Sequence, residues 1–126
     1  MSISNYVETT VMDALFNNVS PAAVQLSARY IKLHIGDPGE AGTANAAAET
    51  TRKAITSAAT ANGVFTSTNA LTWTSVSTSE TYSYVSLWDA VTAGNCLWSG
   101  ALTTSRAVIA GDSFEIAIGS LTVTLD

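Results

Sequence analysis

Short apolar segments separated by turn residues recur along most of the chain, and this pattern limits the fold more than any other feature. Apolar and polar side chains alternate, as expected for strands with one buried face, most clearly in residues 30–35, 82–88, 114–118 and 121–125. Glycine, asparagine, aspartate and proline, which favour tight turns, separate these segments. About eight short strands, spaced roughly ten residues apart, predict a mainly β fold, which is either an antiparallel β-sandwich or a partly open barrel.

One segment near the N-terminus has helical periodicity instead. Asn5 and Glu8 have the spacing of a capping box, in which side chains at the start of a helix satisfy free backbone N–H groups. Apolar side chains then recur every four residues up to Leu15, which predicts an amphipathic helix over residues 5–17. Because an isolated helix of about three turns is unstable in water, we expect Val11 and Leu15 to be buried against the sheet.

Length and composition indicate one folded domain. The chain has 126 residues, of which 47% are hydrophobic and only 12% are charged. This is enough to bury a core without metal or disulfide crosslinks, and the shortage of charge excludes charge-driven disorder. We therefore assign residues 1–126 to a single domain, with a helix over about 5–17 and a β-domain over about 29–126. Alanine, serine and threonine supply 53 residues, so neighbouring molecules are expected to cover part of this weakly charged surface.

Charge and hydropathy exclude several classes of partner. Ten acidic residues against five scattered basic residues give a net charge of −5, whereas nucleic-acid binding requires clustered lysine and arginine. The same deficit argues against an anionic membrane surface, and no apolar segment approaches the roughly 20 residues of a membrane span. The N-terminus does not resemble a secretion signal and Cys96 is the single cysteine, so we expect folding in a cytoplasm without an internal disulfide.

Candidate catalytic and metal-binding residues are few. His34 is the single histidine and lies within a predicted strand, where we interpret it as a polar-face residue rather than a catalytic base. Cys96 has no cysteine or histidine near it in sequence, so we interpret it as a half-buried thiol. Asp37 and Glu40 lie in a glycine-rich turn that has neither the P-loop nor the calcium-loop pattern. We therefore predict no enzymatic activity, no metal and no cofactor.

Aromatic side chains are the best candidates for an interaction site. Trp73, Trp88 and Trp98 could stack on a sugar or a base, but core packing and subunit contact together are favoured. In the longest predicted strand, alternation places Tyr82, Tyr84 and Trp88 on one face. This face is a candidate interface between subunits, since aromatic residues are enriched in interfaces. The alternative is that it packs on a second sheet within the same subunit.

Several segments together resemble a known protein family. In the C-terminal half they are Trp73, residues 84–90, residues 94–103, residues 110–114 and residues 121–126. In the N-terminal half they are residues 1–6 with the helix that follows, and the strand that runs into residues 36–39. Over almost its whole length the chain resembles a family of small virion structural proteins of tailed bacteriophages. The shared motifs are turns and buried aromatic residues, so the resemblance implies a structural role and transfers no catalytic residue.

This resemblance leaves two positions in the particle open. Members of the family are often labelled tail-fibre or minor tail proteins, whereas some small all-β phage proteins of this size decorate the capsid. A fibre shaft needs repeats or a coiled coil, and the chain has neither, while its acidic charge suits the outer surface of a head. We therefore predict a capsid decoration (cement) protein on the outer head surface. The alternative is a small tail or tail-fibre component, and the third interpretation is a carbohydrate-binding β-sandwich module.

Self-association is a further expectation. Five basic and ten acidic groups cannot cover the surface of a monomer in the usual way. Closed symmetry is the common way in which identical subunits bury a shared patch, so we predict a homotrimer. The other expected partner is the major capsid protein, or tail proteins in the alternative, and the expected location is the virion after synthesis in the cytoplasm of the bacterial host.

Overall fold

The computed structural model of the chain describes residues 2–18 and 28–124. The predicted strand over 121–125 is therefore described only as far as residue 124. The elements, in chain order, are β1 (Ser2–Ile3), α1 (Asn5–Phe16), β2 (Arg29–His34), β3 (Lys53–Ile55), β4 (Val64–Thr66), β5 (Leu71–Trp73), β6 (Glu80–Trp88), β7 (Cys96–Val108), β8 (Phe114–Ile116) and β9 (Thr122–Thr124). The predicted mainly β fold with one N-terminal helix is confirmed. At 12 residues, α1 is too short to cross a membrane, and the described residues contain no other helix that could.

The described strands form three antiparallel sheets. Five of them make the main sheet, in the order β1-β7-β6-β2-β3, while β4 pairs with β9 and β5 with β8 in two-stranded ribbons. β6 and β7 form the central hairpin, joined by residues 89–95. The described strands do not close into a barrel, so the fold is a set of small sheets packed on one another.

The core includes side chains from the main sheet and from both ribbons. Alternate residues of β2, β5 and β8 contribute, among them Leu33 of β2, whereas β7 contributes the consecutive residues Leu97 and Trp98. Trp73 of β5 packs on Phe114 of β8 with ring centroids 5.7 Å apart. Tyr82 of β6 meets the same Phe114 ring edge-on at 5.1 Å. Removal of these apolar surfaces from water supplies the main favourable contribution to folding.

The β6–β7 hairpin is interrupted by a wide bulge. Tyr82 pairs with Arg106 and Tyr84 pairs with Ala101, so residues 102–105 have no partner in β6. A bulge bends the strands and redirects their side chains. Tyr82 accordingly points into the core, and the simple alternation that the sequence suggested along β6 does not hold at this point.

The start of α1 is fixed by Ser4, not by the predicted cap Asn5. The Ser4 hydroxyl oxygen accepts the backbone N–H of Val7 at 3.4 Å, which is the bond expected of an N-cap. The same hydroxyl donates to the carbonyl oxygen of Cys96 at 2.6 Å. The first turn of the helix is therefore tied to β7, the strand next to it.

The rest of α1 contradicts the prediction that its apolar stripe is buried. None of its described side chains is buried: Val11 is half-buried, and Leu15 is 69% exposed. Met12 and Phe16 are also exposed. The helix packs on the core through its first turn, where Tyr6 and Val7 contact it, and the described residues leave Leu15 and Phe16 uncovered.

The substitution Leu15→Ala is expected to change the free energy of unfolding by no more than about 0.5 kcal/mol, as is usual at an exposed position. The matched control is Leu33→Ala. Because Leu33 is 0% exposed, its truncation is expected to cost about 2–5 kcal/mol. Urea unfolding of both variants, followed by circular dichroism, tests the difference. Similar losses at the two positions would show that the end of α1 is covered in solution.

Candidate functional site

A loop covers the face of the main sheet that lies opposite the core. Residues 36–48 follow β2, and the end of this segment is held beside the strand by an antiparallel bridge between His34 and Ala46 and by backbone hydrogen bonds. The N–H of Ile35 donates to the carbonyl oxygen of Asn45 at 2.9 Å, and the N–H of Ala47 donates to that of Leu33 at 3.2 Å. Side chains that the sequence assigned to a polar, solvent-facing surface are thereby enclosed.

The enclosed polar side chains form a hydrogen-bonded chain around His34. His34 Nδ1 lies 2.9 Å from the carbonyl oxygen of Ala44, and its Nε2 lies 2.7 Å from Ser86 Oγ. Because a carbonyl only accepts, Nδ1 carries the proton of the neutral ring. Ser86 then donates its hydroxyl to Nε2 and accepts the indole N–H of Trp88 at 2.7 Å. All three side chains are satisfied, so this buried cluster stabilises the loop and contains no free catalytic group.

Burial lowers the pKa of His34 from its ordinary value of 6.5; the carbonyl of Ala44 opposes this shift in part, and the positive charges of Lys32 and Arg52 add to it. The folded chain therefore keeps the ring neutral at pH values where the unfolded chain protonates it. The unfolded state binds more protons below pH 6.5, so the contribution of His34 to the free energy of unfolding is full above this pH and is lost as the pH falls below it.

Since His34 is the single histidine, its ring can be followed without ambiguity by NMR titration. We expect a midpoint below 6.5, and a midpoint at or above 6.5 would contradict the enclosed position. His34→Asn is the control for stability, because its amide can still donate to Ala44. The free energy of unfolding of this variant is expected to change less than that of the wild type between about pH 7 and pH 5.

Arg52 fixes the hairpin loop next to this cluster. Its guanidinium carbon lies 4.0 Å from the centre of the Trp88 ring, an attractive cation–π distance. Its Nη1 donates to the carbonyl oxygens of Ala90 and Ala93, each at 2.7 Å. Arg52 thus joins β3, Trp88 and residues 89–95. No local sequence pattern indicates this role, since the residues involved are about 40 positions apart.

Cys96 is buried under the same loop. Its thiol donates a weak hydrogen bond to the carbonyl oxygen of Trp98 at 3.6 Å, and burial is the main cause that raises its pKa to about 11. The side chain is therefore a protonated packing group at neutral pH and not an activated nucleophile.

The substitution Cys96→Ser is expected to leave assembly intact and to cost only about 1–3 kcal/mol, the penalty of a hydroxyl in this site. Thermal unfolding gives the stability, and non-reducing electrophoresis of the wild type gives the disulfide state. Assembly of the wild type but not of the variant under oxidising conditions would instead indicate an intermolecular disulfide.

A cleft of about 370 Å³ lies beside the cluster. Its walls come from the start of α1, the loop over residues 36–48 and the end of the β6–β7 hairpin, and include Asn5, Tyr6, Glu40 and Asn95. Trp88 also lines it, but one face of that ring is covered by Arg52. The described residues contain no group of three histidine, cysteine, aspartate or glutamate side chains that could hold a metal ion. The described lining of the cleft thus carries no recognisable catalytic arrangement.

The three aromatic residues proposed as an interface do not form a shared exposed patch. Tyr82, which lies next to the bulge, is 0% exposed because its side chain is in the core. Trp88 is 5% exposed, and Arg52 covers one face of its ring. Tyr84 is half-buried on the opposite side of the sheet from the core. The interface therefore stays a prediction, and within this set Tyr84 is the residue that can still reach a neighbouring subunit.

The three tryptophans pack inside the chain. Trp73, Trp88 and Trp98 are all buried, and the Trp73 indole N–H donates to the carbonyl oxygen of Thr51 at 2.7 Å. Core packing is thereby confirmed for Trp73 and Trp98, whereas Trp88 is buried in the polar cluster beside Ser86. A stacking platform for a sugar or a base needs exposed ring faces, which these buried rings do not offer.

Large apolar side chains at the surface are the feature that the sequence prediction missed. The exposed ones among the described residues are Met12, Leu15, Phe16, Ile35, Val91, Ile109 and Ile118. Three of them lie on α1, and Ile109 and Ile118 each follow the end of a strand. Periodicity marked Leu15 and Phe16 as apolar but could not show that the described part of the fold leaves them uncovered.

The geometry is thus that of a small β protein built for packing, with a sealed polar cluster and no active site in its described part. Residues 2–124 match the family described as podophage GP4 fiber I protein gp80, and the chain belongs to this family. It is therefore a non-enzymatic structural protein of the bacteriophage virion, which confirms the resemblance, the location and the absence of enzymatic activity predicted above. Comparison with curated proteins gives no match.

Proposed function

We propose that the chain is a structural subunit of a phage tail fibre and assembles there as a homotrimer. The observation that carries this proposal is the match of residues 2–124 to a family described as a fibre protein. The expected partners are further copies of the chain and other tail or fibre proteins. A role without chemistry agrees with a fold whose buried polar groups at His34 are mutually satisfied.

The sequence ranked capsid decoration above a tail-fibre role, and the family description supports the reverse order. That ranking rested on the missing heptads and repeats, which a fibre shaft requires. A fibre also needs compact units at its attachment point, its joints or its tip, and these need no repeats. The carbohydrate-binding interpretation loses its sequence basis, because the tryptophans that suggested it are buried.

The surface supports self-association. Seven large apolar side chains are exposed on the described residues, while the whole chain carries only five basic and ten acidic groups. Three of these apolar side chains, Met12, Leu15 and Phe16, lie three and four residues apart on α1 and so share one side of the helix. Exposed apolar surface of this kind marks interaction sites on soluble proteins. Closed symmetry buries such surface on every copy at once, which is the reason to expect a trimer instead of a mixture of aggregates.

Electron microscopy of the virion, with gold-labelled antibody against the chain, tests its place in the particle. We expect label at the tail fibres and a copy number that is a small multiple of the number of fibres. Label distributed evenly over the head, with hundreds of copies per particle, would restore the decoration interpretation. Sedimentation of the purified chain tests the trimer separately.

A further inference from the structure

Two adjoining cavities, of about 370 and 440 Å³, form one groove between the end of β7 and β8. Both have Arg106, Phe114 and Glu115 in their walls. One side of the groove is formed by residues between 102 and 108, and the other side by residues between 112 and 120. We call it the seam groove, because it separates the main sheet from the β5–β8 ribbon.

The lining of the seam groove shows that it runs along strand edges. Residues 106–108 of β7 are consecutive and all line it, and so are residues 114–116 of β8. A groove on the face of a sheet would be lined by every second residue, because alternate side chains point to opposite faces. The groove therefore lies beside the backbone of both strands.

Both of these edges lack a strand partner within the described residues. At residues 106–108, β7 pairs with β6 on one side, while β1 pairs with β7 only at Trp98 and Ser99. β8 pairs only with β5. Every second residue of an antiparallel strand points its N–H and C=O away from the partner. An extended polypeptide is the ligand that such edges recognise.

The two sides of the groove carry opposite charges, Arg106 on one side and Glu115 on the other, which complement each other between copies. Within the described part of the chain, the guanidinium of Arg106 makes no hydrogen bond or ion pair. Glu115 accepts a single hydrogen bond, from the Thr72 hydroxyl at 3.3 Å. The two charged groups line the same groove without pairing. Each copy thus offers a cation and a weakly held carboxylate, and a second copy offers the matching pair.

Apolar side chains accompany these charges. Phe114 and Ile116 form a buried wall, while Ile109 and Ile118 are 69% and 66% exposed just beyond the ends of the two strands. A partner strand in the groove would cover these aliphatic side chains. It would also form hydrogen bonds with the backbone N–H and C=O groups along the two strand edges. The surface therefore combines apolar contact, backbone hydrogen bonds and charge pairing, as protein interfaces do.

We propose that the seam groove is the contact between copies of this chain, in which a strand edge of one copy pairs with the groove of the next and Arg106 of one faces Glu115 of the other. The inference rests on the self-association put forward above and names the surface that carries it. It assigns a role to Arg106, whose guanidinium has no polar partner among the described residues of a single chain.

Charge reversal tests the contact. Arg106→Glu and Glu115→Arg should each raise the dissociation constant for self-association by about tenfold or more, because like charges then face each other. Mixing equal amounts of the two variants should restore association in part, since position 106 of one variant and position 115 of the other then carry opposite charges. In a trimer, two of the three contacts gain such a pair and the third joins two copies of the same variant. Arg29→Glu, which changes the net charge by the same amount as Arg106→Glu but lies in β2, is the matched control and should associate like the wild type.

Sedimentation velocity at micromolar concentration measures the association of each variant and of the mixture. Circular dichroism verifies that each variant is folded. If a charge-reversed chain does not fold, Arg106→Gln replaces it and should also weaken association. A wild type that sediments as a single 13 kDa species would overturn self-association and the seam contact together, but not the fibre location. An associating wild type whose Arg106 and Glu115 variants associate equally well, or whose variants are not rescued by mixing, would overturn the seam contact alone.

Discussion

Replacing Trp73 by alanine is expected to lower the free energy of unfolding by about 3–5 kcal/mol, the usual loss for a buried aromatic side chain. The side chain is 1% exposed, and its ring packs on Phe114 at 5.7 Å. Its indole N–H also donates to the carbonyl oxygen of Thr51 at 2.7 Å. The loss therefore combines a cavity with a carbonyl deprived of its donor. Urea unfolding followed by far-ultraviolet circular dichroism measures it without depending on the removed fluorophore.

Trp73→Phe separates the two contributions. It keeps most of the ring and removes the indole N–H, so we expect a smaller loss of about 1–3 kcal/mol. The total stability of a domain of this size is about 5–15 kcal/mol, so Trp73→Ala should bring the chain close to the unfolding threshold. A loss below about 1 kcal/mol for Trp73→Ala would contradict its place in the core.

Strands with strict alternation were predicted well because their burial follows directly from the pleat. In β8, Phe114 and Ile116 are buried while Glu115 between them is exposed. The predicted alternation over residues 114–118 was wrong at its end: β8 ends at Ile116, and Ile118 is exposed and precedes Gly119, which has φ +76°. Local sequence contains both signals, the period of two and the turn residue.

Strand pairing was beyond the reach of local pattern. Asn62 and Gly63 form a tight turn with positive φ angles of 53° and 72°, but the described chain forms isolated bridges across it, Ala61 with Val64 and Ser57 with Ser67, and no continuous ladder. β4 pairs with β9 instead, where Phe65 lies opposite Val123. Partners so far apart in sequence are selected by the packing of the whole core, which no window of a few residues contains.

The exposure of Tyr82 and Leu15 differs from the sequence prediction for two separate reasons. Along β6, the bulge changes which side chains face the core, so Tyr82 is buried although alternation grouped it with Tyr84. Along α1, the period of the helix correctly marked Leu15 as apolar, but burial also requires a covering element, and the described residues place none over Leu15. Periodicity thus reports which side chains share a face and not what lies against that face.

The sealed cluster shows the same limit for polar residues. Alternation placed His34 on the polar face of β2, and it does lie opposite the core with Ser86 beside it. Its complete burial comes from the loop over residues 36–48, whose alanine-rich sequence has no period to interpret. A loop that covers a polar face is recognisable only when its close contacts with the sheet are known.

Gly42 provides the closest of these contacts, and the substitution Gly42→Ala is expected to cost about 2–5 kcal/mol, the sum of two effects. Part of the cost is the left-handed backbone at φ +68°, which disfavours a side chain by about 1–2 kcal/mol. The rest is overpacking, about 1–3 kcal/mol, because a Cβ at Gly42 would lie 2.6 Å from Cys96 Sγ and 2.9 Å from Trp88 Cζ2. Thermal unfolding of the purified variant measures the total loss.

Gly39 in the same loop is the matched control. Its φ of +69° is nearly equal, but a Cβ there would meet no atom within 4 Å, so Gly39→Ala should cost only the backbone contribution of about 1–2 kcal/mol. The difference between the two variants measures how tightly the loop presses on β6 and β7. If Gly42→Ala lifts the loop, water reaches His34 and the pKa of its ring should move up towards 6.5 in the NMR titration, whereas Gly39→Ala should leave it unchanged. Equal losses of stability in the two variants would show that the loop yields to the added methyl group and does not seal the cluster.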